Sequence, residues 1–224
     1  MASETMKVIE ADRLQKLGGE LGRVYNLLWY EYAWLQVKWG EYRELFGTSE
    51  ERVRLLDSAA GFFFRTIHGV LWEDTLLHLC RLTDRDKRTV SIMALPALCP
   101  SQPLRRQVSD LVKKAEVATK FARTPRNVLI AHSSLKAALS QTAKPLGLGS
   151  RKEIEAALYA IHRVLNHIHL TLLEGELAWA RPVPPSGSIA LLSLLRDGLD
   201  AQNARMKRLG AGRPELGDLE RPAI

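Results

Sequence analysis

Apolar residues recur every three or four positions along most of the chain, which is the period of an amphipathic α-helix. The first run starts at Leu14 and continues to Phe46, where Gly47 ends it. This spacing predicts one long helix over residues 14–46. Its apolar positions are Leu14, Leu17, Leu21, Val24, Leu28, Tyr32, Leu35, Trp39, Tyr42 and Phe46.

A second helix is predicted after Thr48 and Ser49, which suit an N-cap and are followed by two glutamates in the first turn. The apolar pattern of this helix ends around Asp84. Two positions of its stripe, Asp74 and Arg81, are charged, which is unusual for a face that packs on a core. The stripe is Val53, Leu56, Ala60, Phe63, Ile67, Val70, Asp74, Leu77 and Arg81.

Three more helices are predicted beyond a proline-rich connection that holds at most one short helical turn. The third helix starts near Pro103, and Thr124-Pro125 predicts a new helix, or a kinked continuation, that opens at Arg126. A long helix follows Gly149-Ser150, and the last spans about 188–209. The stripe of the third is Leu104, Val108, Leu111, Ala115, Ala118 and Phe121, and that of the long helix is Ile154, Leu158, Ile161, Leu165, Ile168, Leu172 and Trp179.

These elements predict an all-α fold: a bundle of four main antiparallel helices with short extra helices and a C-terminal helical appendage. We expect a helical domain over residues 1–180, a Pro-rich linker over 181–187, and a helix with a flexible tail over 188–224. No strand is predicted.

The composition is that of a protein with one hydrophobic core, with 224 residues of which 46% are hydrophobic and 25% charged. The two cysteines, Cys80 and Cys99, lie beside apolar segments and are predicted to be small core residues in a reducing compartment. The chain shows neither a signal-peptide pattern nor an apolar run long enough for a membrane span. We therefore expect a cytoplasmic protein that does not insert into membranes.

Positive charge is concentrated in one segment, since residues 81–136 contain 12 Lys and Arg against 4 Asp and Glu. Such a local field suits a polyanion, because each neutralised phosphate releases condensed counterions. The alternative, that these side chains only solvate the outer faces of helices, stays open at this point.

Several common chemistries are absent from the sequence. There is no Gly-rich phosphate loop, dinucleotide fingerprint, nucleophile elbow or paired-cysteine zinc spacing. His162 and His169 are about 10 Å apart along one helix, too far to share a metal without further ligands. We predict neither a metal nor a cofactor.

The segment from Arg126 to His132 carries the residue types that RNA cleavage requires. A ribose 2′-hydroxyl can attack its own phosphate when a His acts as general base or acid and an Arg stabilises the charge of the phosphorane. Six residues of ideal helix separate Arg126 from His132 by about 9 Å and about 120°, so a kink, a long Arg, or a second subunit must complete the site. The spacing alone favours the alternative of an Arg that solvates a helix end and a His with a local partner, because an Arg and a His six residues apart occur often by chance.

The segment Arg126-Asn127 to Ala131-His132 resembles the R-N-x-x-x-A-H motif of the HEPN superfamily (higher eukaryotes and prokaryotes nucleotide-binding). Further segments in the same order resemble its abortive-infection AbiU-type branch, and the resemblance covers roughly residues 20–180. These segments are Leu28-Trp29 with Glu31, Trp39 through Tyr42 to Leu45-Phe46, Ser49 to Val53, and Leu79 to Asp84.

The resemblance implies a HEPN-like helical bundle, a homodimer and a metal-independent endoribonuclease of the kind used by toxins and phage-defence proteins. The residues carried over are Arg126, Asn127 and His132. Members often set a polar or acidic side chain from an earlier helix against the motif, and the candidates here are the charged stripe residues Asp74 and Arg81, with Asp74 either orienting His132 or pairing with Arg126. Alternatively, Asp74 pairs with Arg81 or a nearby lysine. Ser133 stands where the branch often has an acidic residue, which puts acid assistance there in doubt.

The leading hypothesis is an RNA-cleaving toxin or abortive-infection effector whose third helix tracks the RNA backbone. The runner-up is a non-catalytic helical HEPN module that binds a nucleotide or a partner protein, with its last helix docked on a partner through Ile189, Leu191, Leu192 and Leu195. An antitoxin of the nucleotidyltransferase type fits either hypothesis. The predicted RNA-binding residues are Arg105, Arg106, Lys113, Lys114, Lys120 and Arg123.

Overall fold

The computed structural model describes residues 4–125, 149–173, 175, 177 and 186–219, and these form helices and connections without a strand. The all-α prediction is confirmed. Within this part of the chain, no helix is both long and apolar enough to cross a bilayer. The α-helices are α1 (Glu4–Leu17), α2 (Gly19–Phe46), α3 (Glu50–Leu82), α4 (Leu95–Leu98), α5 (Gln102–Pro125), α6 (Arg151–Leu172) and α7 (Ser188–Gly210), and a 3₁₀ turn spans Ile92–Ala94.

The predicted single helix over 14–46 is wrong, because the chain turns between α1 and α2. Gly18 and Gly19 have φ angles of 70° and 30°, a region that glycine enters without steric cost and that ends a right-handed helix. The turn folds α1 back along α2, so that a Cβ at Gly22 would lie 3.3 Å from the Cα of Leu14.

The predicted stripe of α3 is wrong at Val53, which is 43% exposed, and again beyond residue 60. Ala60 has non-helical backbone angles (φ −162°, ψ 64°) that kink the helix and move its buried positions off the register of a straight helix. Phe63 and Val70 of the predicted stripe are more than half exposed, whereas Phe64 is buried. After the kink the buried apolar residues are Phe64, Leu76, Leu79, Cys80 and Leu82.

One compact unit of the chain comprises Met1–Trp39 and Leu71–Pro182. In it α6 runs antiparallel to α2, since the hydroxyl of Tyr25 donates to the carbonyl of Leu165 and that of Tyr32 to the carbonyl of Leu158. The predicted stripe of α6 is confirmed from Ile154 to Ile168, and the start of the helix is fixed by a capping box. Leu172 is half-buried, and Trp179 lies outside the described residues. The capping residues are Ser150 and Glu153, and the buried stripe residues are Ile154, Leu158, Ile161, Leu165 and Ile168.

Helices α5 and α6 are also antiparallel. Gln107 near the start of α5 contacts His167 near the end of α6, while Phe121 near the end of α5 lies against Gly149 just before α6. The stripe predicted for α5 lies toward its partner, with Leu104, Val108 and Ala115 buried. The outer side of α5 carries mostly polar side chains, with Val117 as an exposed apolar exception.

The second unit comprises Gly40–Val70 and Val183–Ile224. Its core contains Leu192 of α7, and Leu195 packs against it. Leu192 and Leu195 therefore pack in the chain's own core and not on a partner. Ile189 and Leu191, which were predicted to form a docking surface with them, are exposed. The other core members are Leu45, Leu56 and Phe64. Beyond α7, Asp218 folds back and pairs with Arg208 at 2.7 Å.

Candidate functional site

The motif residues Arg126, Asn127 and His132 lie outside the described residues. The described residues that precede them extend to Pro125, the last residue of α5. One turn earlier, the guanidinium of Arg123 donates to the carbonyl of Thr83 at 2.8 Å, which holds the end of α5 against the end of α3. The first motif residue follows Arg123 by only three positions in the sequence.

A network of charged side chains joins α2 to α3 in the first unit. Helix α2 supplies Glu31 and Lys38, which are two turns apart and so share one face. Helix α3 supplies Asp74, His78 and Arg81 at helical spacing. Lys38 pairs with Asp74, and Arg81 pairs with Glu31.

His78 is at the centre of this network, with its side chain only 2% exposed. Its Nδ1 lies 3.2 Å from the ammonium of Lys38, and its Nε2 lies 2.8 Å from Oε2 of Glu31. The ammonium of Lys38 can only donate, which favours the tautomer with the ring proton on Nε2 toward Glu31, whereas a donor-only guanidinium beside Nε2 favours the opposite tautomer. The guanidinium of Arg81 lies 3.0 Å from the same Nε2.

Burial, together with the charges of Lys38 and Arg81, lowers the pKa of His78 to about 4, although Glu31 acts in the opposite direction. His78 is therefore neutral at neutral pH. Because both ring nitrogens are already engaged, this imidazole suits a positioning role rather than proton transfer to a substrate.

Asp74 and Arg81, the two anomalous charges of the predicted stripe, both belong to this network. Of the alternatives for Asp74 within the described residues, the structure gives the lysine partner, Lys38, and not Arg81. The carboxylates of Asp74 and Glu31 remain 44% exposed, so both face solvent while they hold their cations.

The outer side of α5 carries a basic flank, which we define as Arg105, Arg106, Lys113, Lys120 and Arg123. On an ideal helix these residues fall within an arc of about 100° and extend over about 27 Å along the axis. All but the half-buried Arg123 are exposed. Lys114, the sixth predicted RNA-binding residue, is also exposed but lies outside this arc.

Members of the basic flank differ in how far their charge is neutralised. Lys113 pairs with Asp110 at 3.2 Å, and Arg105 donates to the carbonyl of Cys99 at 3.3 Å. Arg106 and Lys120 form no ion pair with any residue that the structure describes. These two side chains are therefore the cations of the flank most available to an external anion.

Residues 19–191 match the family model HEPN_AbiU2, described as AbiU2. The chain belongs to the AbiU2 family of HEPN proteins. The match includes the α2–α3 network, the basic flank and the Arg126–His132 motif, whereas α1 precedes it. No curated protein and no solved structure matches the chain.

Among the described residues of this AbiU2 protein, no group of three or more His, Cys, Asp and Glu side chains is arranged to hold a metal ion. Cys80 and Cys99 are both buried and form no disulfide with each other, as expected of small core residues. Burial raises the pKa of the Cys99 thiol, which makes it a poor nucleophile.

Glu31, Lys38 and His78 were not predicted from the sequence as members of the site. A signal was present, because Glu31 and Lys38 interrupt the apolar pattern of α2 at a spacing of seven, and His78 follows Asp74 by four. Their mutual contacts could not be predicted without knowing that these faces of α2 and α3 meet.

Proposed function

We propose that this AbiU2-family protein is a metal-independent endoribonuclease that acts in the cytoplasm as a toxin or abortive-infection effector in phage defence. The observation that carries the proposal is the position of the motif. Arg126, Asn127 and His132 lie within the family match and directly follow a helix with a basic flank. An RNA backbone held along α5 would then reach the motif at the end of that helix.

In the proposed reaction, the 2′-hydroxyl oxygen attacks the adjacent phosphorus, and the bond from phosphorus to the 5′-oxygen breaks. The products are a 2′,3′-cyclic phosphate and a 5′-hydroxyl. His132 takes the proton of the 2′-hydroxyl or gives one to the leaving oxygen. Arg126 stabilises the negative charge of the phosphorane, and Asn127 positions the phosphate.

We assign a positioning role to the α2–α3 network. His78 is neutral and fully engaged, so its contribution is to hold Lys38 and Glu31 in place. In this proposal the carboxylate of Asp74 contributes only by positioning the ammonium of Lys38, with which it pairs. Ser133 follows the motif directly, so the proposal assigns no acid assistance to that position.

A second copy of the chain completes the proposed site. An ideal helix would place Arg126 and His132 about 9 Å apart on different faces, and a two-fold axis near this segment would bring two copies of each residue together. A nucleotidyltransferase-type antitoxin is the proposed regulator. The mass of the protein in solution tests the dimer separately from the activity.

The function is tested by incubating the purified protein with total RNA, with and without a metal chelator, and by identifying the new ends. Chelator-resistant cleavage that leaves cyclic phosphates supports the proposal. A folded dimer that leaves RNA intact under both conditions would favour a non-catalytic module that binds a nucleotide or a partner protein.

A further inference from the structure

Arg13 of α1 is a buried cation. The residue is 8% exposed, and its guanidinium carbon lies 4.1 Å from the centre of the Trp29 ring. Its NH1 donates to Oδ1 of Asn26 at 3.3 Å. No carboxylate within the described ranges pairs with it, so its charge is balanced only by an aromatic face and one neutral amide.

Asn26 adds a second unpaired donor at the same place. It is 3% exposed, and its Nδ2 has no hydrogen-bond partner within the described residues. The orientation of the amide is fixed by Arg13, because the reversed orientation would set NH₂ donors against guanidinium donors. A buried N–H group without an acceptor is rare in folded proteins.

The groups around this pair supply no negative charge. The hydroxyl of Tyr25 lies 3.1 Å from Nδ1 of His169 on α6. Burial lowers the pKa of His169 and the charge of Arg13 lowers it further, so this imidazole is neutral at neutral pH. Burial also raises the pKa of the Tyr25 hydroxyl. The cluster thus carries one net positive charge and spare donors.

We propose that Arg13 and Asn26 form a binding site for a phosphate-type oxyanion where α1, α2 and α6 meet. The planar fork of the guanidinium retains donors beyond the one that it gives to Asn26, and the Nδ2 group adds two more. A tetrahedral anion offers several oxygens to such donors and neutralises the buried charge. Arg13 precedes residue 19, so this site lies partly outside the family match, and it does not depend on the nuclease proposal.

The test is calorimetric titration of the full-length protein with inorganic phosphate at constant ionic strength. Arg13→Met removes the charge but retains a stem over Trp29, and Asn26→Leu removes the donors at similar volume. Each is expected to weaken phosphate binding at least tenfold. Arg23→Met, which removes an exposed cation from α2, is the matched control and should leave binding unchanged.

A spectroscopic readout locates the anion. In the wild type, phosphate should raise the pKa of His169 as followed by NMR, because the anion offsets the charge of Arg13. The Arg13→Met variant should show no such response. Adenosine 5′-monophosphate is titrated in parallel: tighter binding than inorganic phosphate identifies the anion as a nucleotide's phosphate, and equal binding identifies it as the free ion.

The proposal is overturned if the folded wild type ignores millimolar phosphate, or if binding survives both Arg13→Met and Asn26→Leu. Failure of the nuclease proposal is distinguishable, since His132→Ala should leave phosphate binding intact.

Discussion

His78 of α3 lies with its Nε2 2.8 Å from Oε2 of Glu31 on α2. Its Nδ1 lies 3.2 Å from the ammonium of Lys38, so the buried imidazole contacts two side chains of α2 at once. Two half-exposed carboxylates and two cations are thereby ordered around a buried ring that does not change its charge near neutral pH.

This arrangement predicts that the protein loses stability in mild acid. His78 has a pKa of about 4 in the folded state against 6.5 in the unfolded chain. Below pH 6.5 the unfolded state binds the extra proton first, so the free energy of unfolding falls between pH 6.5 and about 4, by at most about 3 kcal/mol from this residue. Urea unfolding at a series of pH values measures the slope.

The matched variant for this prediction is His78→Gln, whose amide can still accept from Lys38 and donate to Glu31 but does not titrate. His68 and His169 also have lowered pKa values and add to the slope in both proteins. The difference between wild type and His78→Gln therefore isolates His78. Identical pH profiles for the two proteins would contradict the neutral, buried state assigned to this ring.

The pair formed by Lys38 and Asp74 should be energetically coupled. Its side chains are 19% and 44% exposed, so a double-mutant cycle of Lys38→Met and Asp74→Asn should give about 0.5–1 kcal/mol. The exposed pair of Lys16 and Asp12 is the control, for which we expect a smaller coupling. If Asp74 acts only through Lys38, the two single variants should reduce RNA cleavage equally. A larger loss in Asp74→Asn would indicate a direct role for the carboxylate.

The basic flank should account for much of the salt dependence of RNA binding. Arg106 and Lys120 lack ion-pair partners among the described residues, so the double variant Arg106→Gln, Lys120→Gln should lower the slope of log affinity against log salt by about 2. Lys207→Gln in α7, also exposed, is the control. An unchanged slope would mean that the flank only solvates α5.

A side chain at Gly18 should lower the stability of the turn between α1 and α2. Gly18→Ala places a Cβ at a φ of 70° and should cost about 1 kcal/mol of stability. Gly69 provides the opposite case, because it lies inside α3 and a Cβ added there would meet nothing within 4 Å. Gly69→Ala should therefore stabilise by about 0.5–1 kcal/mol. Chemical denaturation of both variants checks the contrast.

The sequence predicted those parts of the fold that depend on local periodicity. The stripe of α6 is buried from Ile154 to Ile168, and Leu104, Val108 and Ala115 of the α5 stripe are buried, because each helix packs one apolar face on the other. The largest errors occurred where the backbone departs from a straight helix. Gly18 interrupts an unbroken apolar pattern, and the kink at Ala60 shifts the buried face of α3 away from Phe63.

The candidate site was predicted only in part for a related reason. Asp74 and Arg81 stood out as charges within an apolar stripe, and the structure places both in one network. Their partners Lys38 and Glu31 come from another helix, and periodicity within one helix carries no information about which faces meet. Neither can it predict the protonation state of His78, which depends on burial and on three neighbouring charges.

RNA cleavage by the Arg126–His132 motif is tested by comparing the wild type, His132→Ala and His167→Ala. His167 is a half-buried histidine on α6 that contacts Gln107, so its loss controls for the removal of any histidine. With a metal chelator present, we predict cyclic-phosphate ends from wild type and His167→Ala and none from His132→Ala. Cleavage that persists in His132→Ala would show that His132 is not required for the reaction and would contradict the proposed mechanism.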